Sequence, residues 1–496
     1  MNTANLEANA LEANTTIISN MSDIEESTSP FILGGRPAKE ADSEILTVLS
    51  PADNLTLAGK TYRTTSGRIP EILAAAEVGF QSHRKTTPTE RASILTRLAE
   101  LLAKHQEPLA RQIALEAGKP IKLSRVEVQR AVAICRSYAE ELSRQREAVY
   151  FIEGREASVR YFPLGPVLAI TPFNFPLNLV IHKLAPAIAA GTSITIKPAS
   201  QTPMTALYLG RLAVEAGYEA ISVIPCGSNI AEALVQSDVF KKVSFTGSAP
   251  VGWRLKTLAG KKPITLELGG NGACIVNDYP EEKLSWIAQR CAQGAFWFSG
   301  QICISLQRIF VHQDRHDAFL KALIDATRSI HVGDPLDEKT DVGPMIHLDE
   351  VFRTRGLIKD AIDGGANVVY GGNALNPYTM NPTILNRTQP SMRVNADECF
   401  APLVTVSPYT QFEEALAAAN DSVFGLQAGI FTQDRNKANL AYETLDVGGV
   451  IINDVPTFRL DYMPYGGIKE SGLGREGVLC GVAEMSYFKT CISQYF

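Results

Sequence analysis

The chain has 496 residues, more than a single hydrophobic core sustains, so two or three domains are expected. It is 45% hydrophobic and 20% charged with a formal net charge of −6, a balance that gives no support to nucleic-acid or membrane-surface binding. Eight cysteines without a CxxC pair and seven histidines without a ligand cluster argue against a disulfide scaffold and a zinc site, so a reducing, cytoplasmic location and no metal are expected.

Residues 1–30 open with a small repeat, NLEANALEAN, and continue rich in Ser and Thr. They lack the basic start and apolar run of a signal peptide, which predicts a flexible tail. Residues 70–145 carry apolar residues at spacings of three and four and predict helices, with Gly118 and Pro120 stopping one run. VYFIEGREASVRYFPLGP (149–166) sets two β-rich runs about Glu153–Gly154–Arg155 and predicts a hairpin. From Gly165, the short runs GPVLAI, TSITIKPAS, ISVIPCG and KKVSFTG alternate with helical segments. Continuously apolar strands in that alternation predict a parallel sheet covered on both faces, a doubly wound α/β architecture. A second α/β stretch runs from about Gly269 to Ser486, with strands at ACIVN, LQRIFVH, ANVVYGG, LVTVSPY, QAGIFT and GGVIIND. The tail SYFKTCISQYF alternates weakly and predicts an edge strand added to a neighbour. No window reaches transmembrane length without charge.

Several positions could carry chemistry. In KKVSFTGSAPVGWRLK a strand ends at Phe245, Thr246–Gly247–Ser248 turns, and Pro250 fits a helix's first turn. That is either a phosphate-binding helix start or a plain strand–helix turn. Lys197 ends ITIKPAS, at the edge where doubly wound sheets bind ligands, or is simply a solvated lysine. Asn174, between Pro172 and Pro176, is an oxyanion donor or a turn residue. Glu267 lies in an apolar strand two residues before Gly269, and is a general base or a structural carboxylate. FWFSGQICIS (296–305) is apolar, interrupted by Gly300 and Gln301 just before Cys303. That cysteine is buried filler, or a nucleophile whose thiolate needs a cation, dipole or cofactor.

Taken together and in this order, PFNFP, IKPAS, FTGS, LELGG, GQIC, ECFAP and PYGGIKESGLGREG resemble the aldehyde dehydrogenase superfamily over about residues 35–490. The likeness is strongest to its hydrolytic, non-phosphorylating branch of lactaldehyde, glyceraldehyde-3-phosphate and phosphonoacetaldehyde dehydrogenases. The resemblance implies that Cys303 attacks the aldehyde, that Asn174 and the Cys303 N–H hold the oxyanion, and that Glu267 activates water against the thioester. Hydride would pass to NAD or NADP. Glu398 and Phe400 would position the nicotinamide ribose and ring, Lys197 the adenosine ribose and Ser248 the pyrophosphate, with Thr171, Pro172, Phe173, Gly247, Leu268 and Gly269 along the cofactor. It also implies a Rossmann-like cofactor domain (31–145 and 164–268), a catalytic domain (269–485), and an arm (146–163 and 486–496) joining a homodimer or homotetramer.

Three departures matter. Ser200 stands where many NAD-preferring relatives have Glu, and a hydroxyl can donate to a 2′-phosphate that a carboxylate would repel, so NADP is expected to be accepted. Ala401 replaces a common glycine, and Tyr465 a frequent Phe, the latter a mild change. Phe175, Trp297 and Phe458 are candidate tunnel walls and favour an apolar or aromatic aldehyde. Arg459 either meets an anionic substrate or lies at the surface. His182 faces the same tunnel or simply packs. The alternatives to hydrolysis are a CoA-acylating enzyme, which would not need Glu267, and a non-catalytic binding protein on the same fold.

Overall fold

The computed structural model describes residues 28–144 and 148–494. Most of the expected tail therefore lies outside the described residues. Ser29 is already buried and donates its N–H to the Lys60 carbonyl at 2.8 Å, so packing begins just before Pro30.

The strands Val167–Ile170 (β1), Ile194–Lys197 (β2), Ile221–Val223 (β3), Lys242–Thr246 (β4) and Ile264–Glu267 (β5) are parallel and almost wholly buried. Their spatial order is β3-β2-β1-β4-β5, with Phe31–Leu33 antiparallel beyond β3 and Gly472–Leu473 antiparallel beyond β5. Strands buried on both faces have no solvent side to mark with polar residues, which is why their sequences run continuously apolar. The order reverses between β1 and β4. Both chains leaving that point, at Thr171 and Gly247, open a crevice at the carboxyl ends of the strands, where doubly wound sheets take ligands.

The predicted helical region forms four helices, among them Ile121–Arg144 (α1), which buries Val128, Val132 and Cys135 along one stripe. The run read as continuous up to Gly118 is broken at His105, and it ends with Gly118 in the left-handed conformation at φ +67°. Helix Asn178–Ala190 (α2) is buried all round, which suits its nearly unbroken apolar sequence. Helix Ala249–Ala259 (α3) starts after Ser248 with Pro250 in its first turn, as expected.

The second sheet has seven strands. Gly272–Val276 (β6) and Leu306–His312 (β7) lie at its centre, flanked by Thr383–Asn386 (β8) and Leu403–Tyr409 (β9) on one side and Gln427–Phe431 (β10) and Gly449–Ile452 (β11) on the other. Asn367–Tyr370 adds an antiparallel edge on β8. Helix Leu284–Phe296 (α4) packs on this sheet and delivers the chain to the segment around Cys303.

The hairpin Ala148–Ile152 with Arg155–Pro163 forms as predicted. The tail does not wait for a neighbour: Ser486–Ser493 pairs antiparallel with Arg155–Pro163 of its own chain, from Ser486 opposite Pro163 to Ser493 opposite Glu156. Among the described residues, no helix is long and apolar enough to cross a membrane.

Candidate active site

The Cys303 segment is shaped by a strained turn. After α4, Phe298, Ser299 and Gly300 all take positive φ, at 50°, 56° and 66°. Such backbone costs energy at non-glycine positions and persists only where its surroundings hold it. Here they do. Ser299 Oγ donates to the Gly343 carbonyl at 2.7 Å, and Gln301 Oε1 accepts from Ile346 N at 2.9 Å. Gly300 is required twice over, since a Cβ there would come within 2.0 Å of the Ala401 carbonyl oxygen. The interrupting Gly300–Gln301 pair is therefore what aims the cysteine.

Two cavities meet at Cys303, and Leu179 lines both. The first, of about 380 Å³, opens from the crevice between β1 and β4. Pro172, Phe173 and Asn174 line it after β1, Gly247 and Ser248 after β4, Leu268 and Gly269 after β5, and Glu398 and Phe400 from the loop that leads into β9. Thr171, Lys197 and Ser200 are not in this wall. Thr171 donates its N–H to the Lys197 carbonyl at 3.1 Å, so the ends of β1 and β2 stay together. Lys197 Nζ donates to the Pro198 carbonyl, and Ser200 is exposed beyond it. Gly247 spends its N–H on the Glu267 carbonyl, so it contributes the absence of a side chain rather than a phosphate donor: a Cβ there would meet the Phe245 ring at 2.5 Å. Ser248 is exposed at the start of α3 and its hydroxyl makes no capping bond.

Glu398 accepts a hydrogen bond from Gly270 N at 2.9 Å. Burial pushes its carboxyl up to about 7, partly opposed by that bond and by Arg353. Phe400, at φ 45°, sets its ring edge-on to Phe173 with centroids 6.1 Å apart. Glu350 and Arg353, unmarked by any motif in the sequence, also line this cavity.

Asn174 is buried and donates one amide proton to the Gln301 carbonyl at 2.8 Å. An amide nitrogen carries a second proton, which remains for a ligand. Glu267 ends β5, 3% exposed, with neither carboxylate oxygen hydrogen-bonded. Burial pushes its carboxyl well above the usual range and repulsion from Glu476 adds to the rise, opposed by Arg459 and Lys183. Glu476 stays ionised against its own burial because Lys183 Nζ donates to it at 2.6 Å. The same Lys183 donates to Thr246 Oγ1 at 2.8 Å.

The second cavity, of about 240 Å³, has the predicted aromatic walls, Phe175, Trp297 and Phe458. It also holds Arg459, singled out in the sequence, and cations that the sequence did not mark, among them Arg130 and Lys119. Arg459 is not at the surface: its side chain is 9% exposed, and its guanidinium carbon lies 3.7 Å from the Tyr465 ring centroid. Asp461 is shared by Arg459 Nε at 3.2 Å, Arg130 Nη2 of α1 at 2.8 Å and His182 Nε2 of α2 at 3.0 Å. Burial works against the Asp461 carboxylate, yet the bonds from His182 and Arg130 hold it well below the usual carboxylate range. Burial and Arg459 push His182 down, opposed by its bond to Asp461. Two guanidinium groups thus face one carboxylate, and Glu476 lies farther from Arg459, at 3.8 Å. Lys119 also lines the cavity. It pairs with Glu127 and sits 3.5 Å above the Phe175 ring, while Glu127 accepts from Leu177 N and Asn178 N at 3.0 Å and so anchors the start of α2. The wall is therefore mixed: the three aromatic candidates and Arg459 both line it, with further charges brought from α1 and the 459–461 loop.

Cys303 Sγ lies 3.2 Å from Tyr465 Oη. Burial pushes the thiol up to about 11, with the Tyr465 hydrogen bond and Arg459 pulling it down and Glu398 and Glu267 adding to the rise.

The profile of the aldehyde dehydrogenase family matches residues 38–491. The chain is 41% identical to the 3-sulfolactaldehyde dehydrogenase of Priestia aryabhattai over 409 residues, 81% of this chain and 85% of that protein. Among solved structures, it superposes on aldehyde dehydrogenase 21 of Physcomitrella patens in complex with the reaction product succinate, with a TM-score of 0.91, 36% identity, and coverage of 94% of this chain and 98% of that one. It also matches the glyceraldehyde-3-phosphate dehydrogenase GapN of Methanocaldococcus jannaschii complexed with NADP, with a TM-score of 0.87, 35% identity, and coverage of 91% and 99%.

Proposed function

The chain belongs to the aldehyde dehydrogenase family, and on that premise we propose that it oxidises a small anionic aldehyde to the free carboxylic acid, accepting NADP as well as NAD. The observation that carries this reading is the meeting of two cavities at one cysteine, the first lined by Glu398 and Phe400, the second by Arg130 and Arg459.

The cofactor fits the first cavity. Gly247 and Ser248 line it at the start of α3, whose N-terminus favours phosphate, and Glu398 and Phe400 line the same cavity as Cys303. Lys197 and Ser200 lie at the end of β2, suited to the adenosine ribose and its 2′ position. When bound, the nicotinamide supplies the hydride acceptor. Cys303 supplies the nucleophile: its sulfur adds to the aldehyde carbon, giving a thiohemiacetal whose oxyanion accepts hydrogen bonds from the free Asn174 amide N–H and the Cys303 N–H. Loss of hydride leaves a thioester on Cys303. Glu267 takes a proton from water as that water attacks the thioester carbon, the C–S bond breaks, and the acid departs. A carboxylate with a raised pKa and no fixed partner suits that base.

The excess of guanidinium over carboxylate around Asp461 supports an anionic substrate of few carbons. So do a relative named for a sulfonated aldehyde and a structure that holds succinate. A homo-oligomer built through the three-stranded arm is supported by exposed apolar side chains there, including Phe151, 78% exposed, and Phe488. The split into a cofactor domain ending at residue 268 and a catalytic domain from 269 is supported by the two sheets, which divide between β5 and β6. Eight free cysteines support a cytoplasmic location.

The test is reduced-cofactor formation over matched anionic and neutral aldehydes of equal length, without CoA. Anionic substrates should lead in kcat/KM by about tenfold or more, the scale of one charge-assisted contact. Cys303→Ala should lose roughly a thousandfold or more. Turnover that requires CoA would instead assign a thiol, not Glu267-activated water, to the second half-reaction.

A further inference from the structure

Tyr465 looks from the sequence like a conservative stand-in for Phe, yet its hydroxyl is the feature the site uses. The residue is 5% exposed, and a buried phenol seeks a hydrogen-bond partner. The partner is Cys303 Sγ at 3.2 Å. A phenylalanine would fill the same wall, so wall-building does not explain the oxygen.

The ring is held firmly. Tyr465 N donates to the Glu476 carbonyl at 2.8 Å, and Glu476 N donates back to the Tyr465 carbonyl at 2.7 Å. Over its face sits the Arg459 guanidinium, itself fixed by Asp461. A cation against the ring draws electron density from the phenol and makes its O–H a stronger donor. Burial keeps that phenol protonated, since its pKa lies well above the usual value. The geometry points to Tyr465 as a further catalytic residue: its hydroxyl donates to the Cys303 sulfur and stabilises the thiolate, with Arg459 strengthening the donor from behind the ring. The proton on the thiol leaves to solvent or a base, and the phenol keeps its own. The stack also joins the substrate cavity's cation to the nucleophile through one side chain.

The inference rests on Cys303 being the nucleophile, but its test does not need turnover. Alkylation of Cys303 by iodoacetamide, followed by mass spectrometry of the peptide that contains it, reads the thiolate directly across pH. Tyr465→Phe should move the midpoint up by about one pH unit and slow alkylation about tenfold below it, the effect of losing one such hydrogen bond. A fluorinated tyrosine at 465, isosteric and a stronger donor, should move the midpoint down. The same shifts should appear in the pH profile of kcat/KM, which a wall residue would leave in place. Should the Phe variant fail to fold, the fluorinated tyrosine decides alone. A midpoint unmoved in the folded variants overturns the proposal. Full turnover in Cys303→Ala would sink the nucleophile assignment instead, whatever the alkylation midpoints show.

Discussion

Glu398 places a titration near neutrality inside the cofactor cavity. Its carboxyl is raised to about 7 by burial, so it changes charge where most assays run. Only the ionised form accepts from a ribose hydroxyl with both oxygens available. Cofactor KM should therefore fall as pH rises through about 7, and Glu398→Gln should flatten that limb while kcat changes less. A KM slope that survives the substitution would assign the titration elsewhere. Glu398, Cys303 and Asn174, singled out by the resemblance that ECFAP, GQIC and PFNFP carry, line one cavity, and Glu267 of LELGG is buried at the end of β5. The charge cluster was not legible, although Arg459 and His182 are each singled out in the sequence: Arg130, His182 and the Arg459–Asp461 loop come from three places in the chain, and no local spacing marks groups that meet only across a cavity. For the same reason the sequence offers an open choice for Arg459, which the fold resolves by burying it against Asp461 and Tyr465.

At the scale of elements, the arm is the clearest case. Its hairpin was legible from two β-rich runs about a Glu-Gly-Arg turn, where Gly154 takes φ +73° and Glu153 φ +51°. Its third strand belongs to the same arm, as the resemblance implies, but its pairing with Arg155–Pro163 of its own chain was not legible, because an alternating run says only that it wants an edge and not whose. With the tail strand in place, the arm presents Val149, Tyr150 and Phe151 on one strand and Phe488 and Ile492 on another, all exposed in the single chain. Burying that surface is the expected role of a second copy. Phe151→Asp should shift the assembly toward smaller species in light scattering. It should leave the thiol chemistry of the remaining folded chain intact. Unchanged mass at about micromolar concentration would remove the arm's outer strand from the interface.

For the whole molecule, the proposed division into a cofactor sheet and a catalytic sheet would set cofactor choice apart from substrate choice. Ser200 and Lys197 lie at the end of β2, outside the cavity that reaches Cys303, so a change there should alter which dinucleotide binds and not which aldehyde reacts. Ser200→Glu should lower the NADP-to-NAD ratio of kcat/KM by roughly tenfold or more through repulsion of the 2′-phosphate. A wild-type ratio well below one would defeat the expectation that NADP is accepted. The sequence by itself determined the strand alternation, the doubly wound class and, through its motifs, the family, because periodicity, glycine turns and strand ends are local properties that a linear chain records. The tertiary structure alone decided the charge of the substrate cavity, the course of the tail strand and the contact between Tyr465 and Cys303. Those depend on residues far apart in sequence, such as the 162 positions between that tyrosine and that sulfur, and their distances are set only when two sheets and the helices over them pack together.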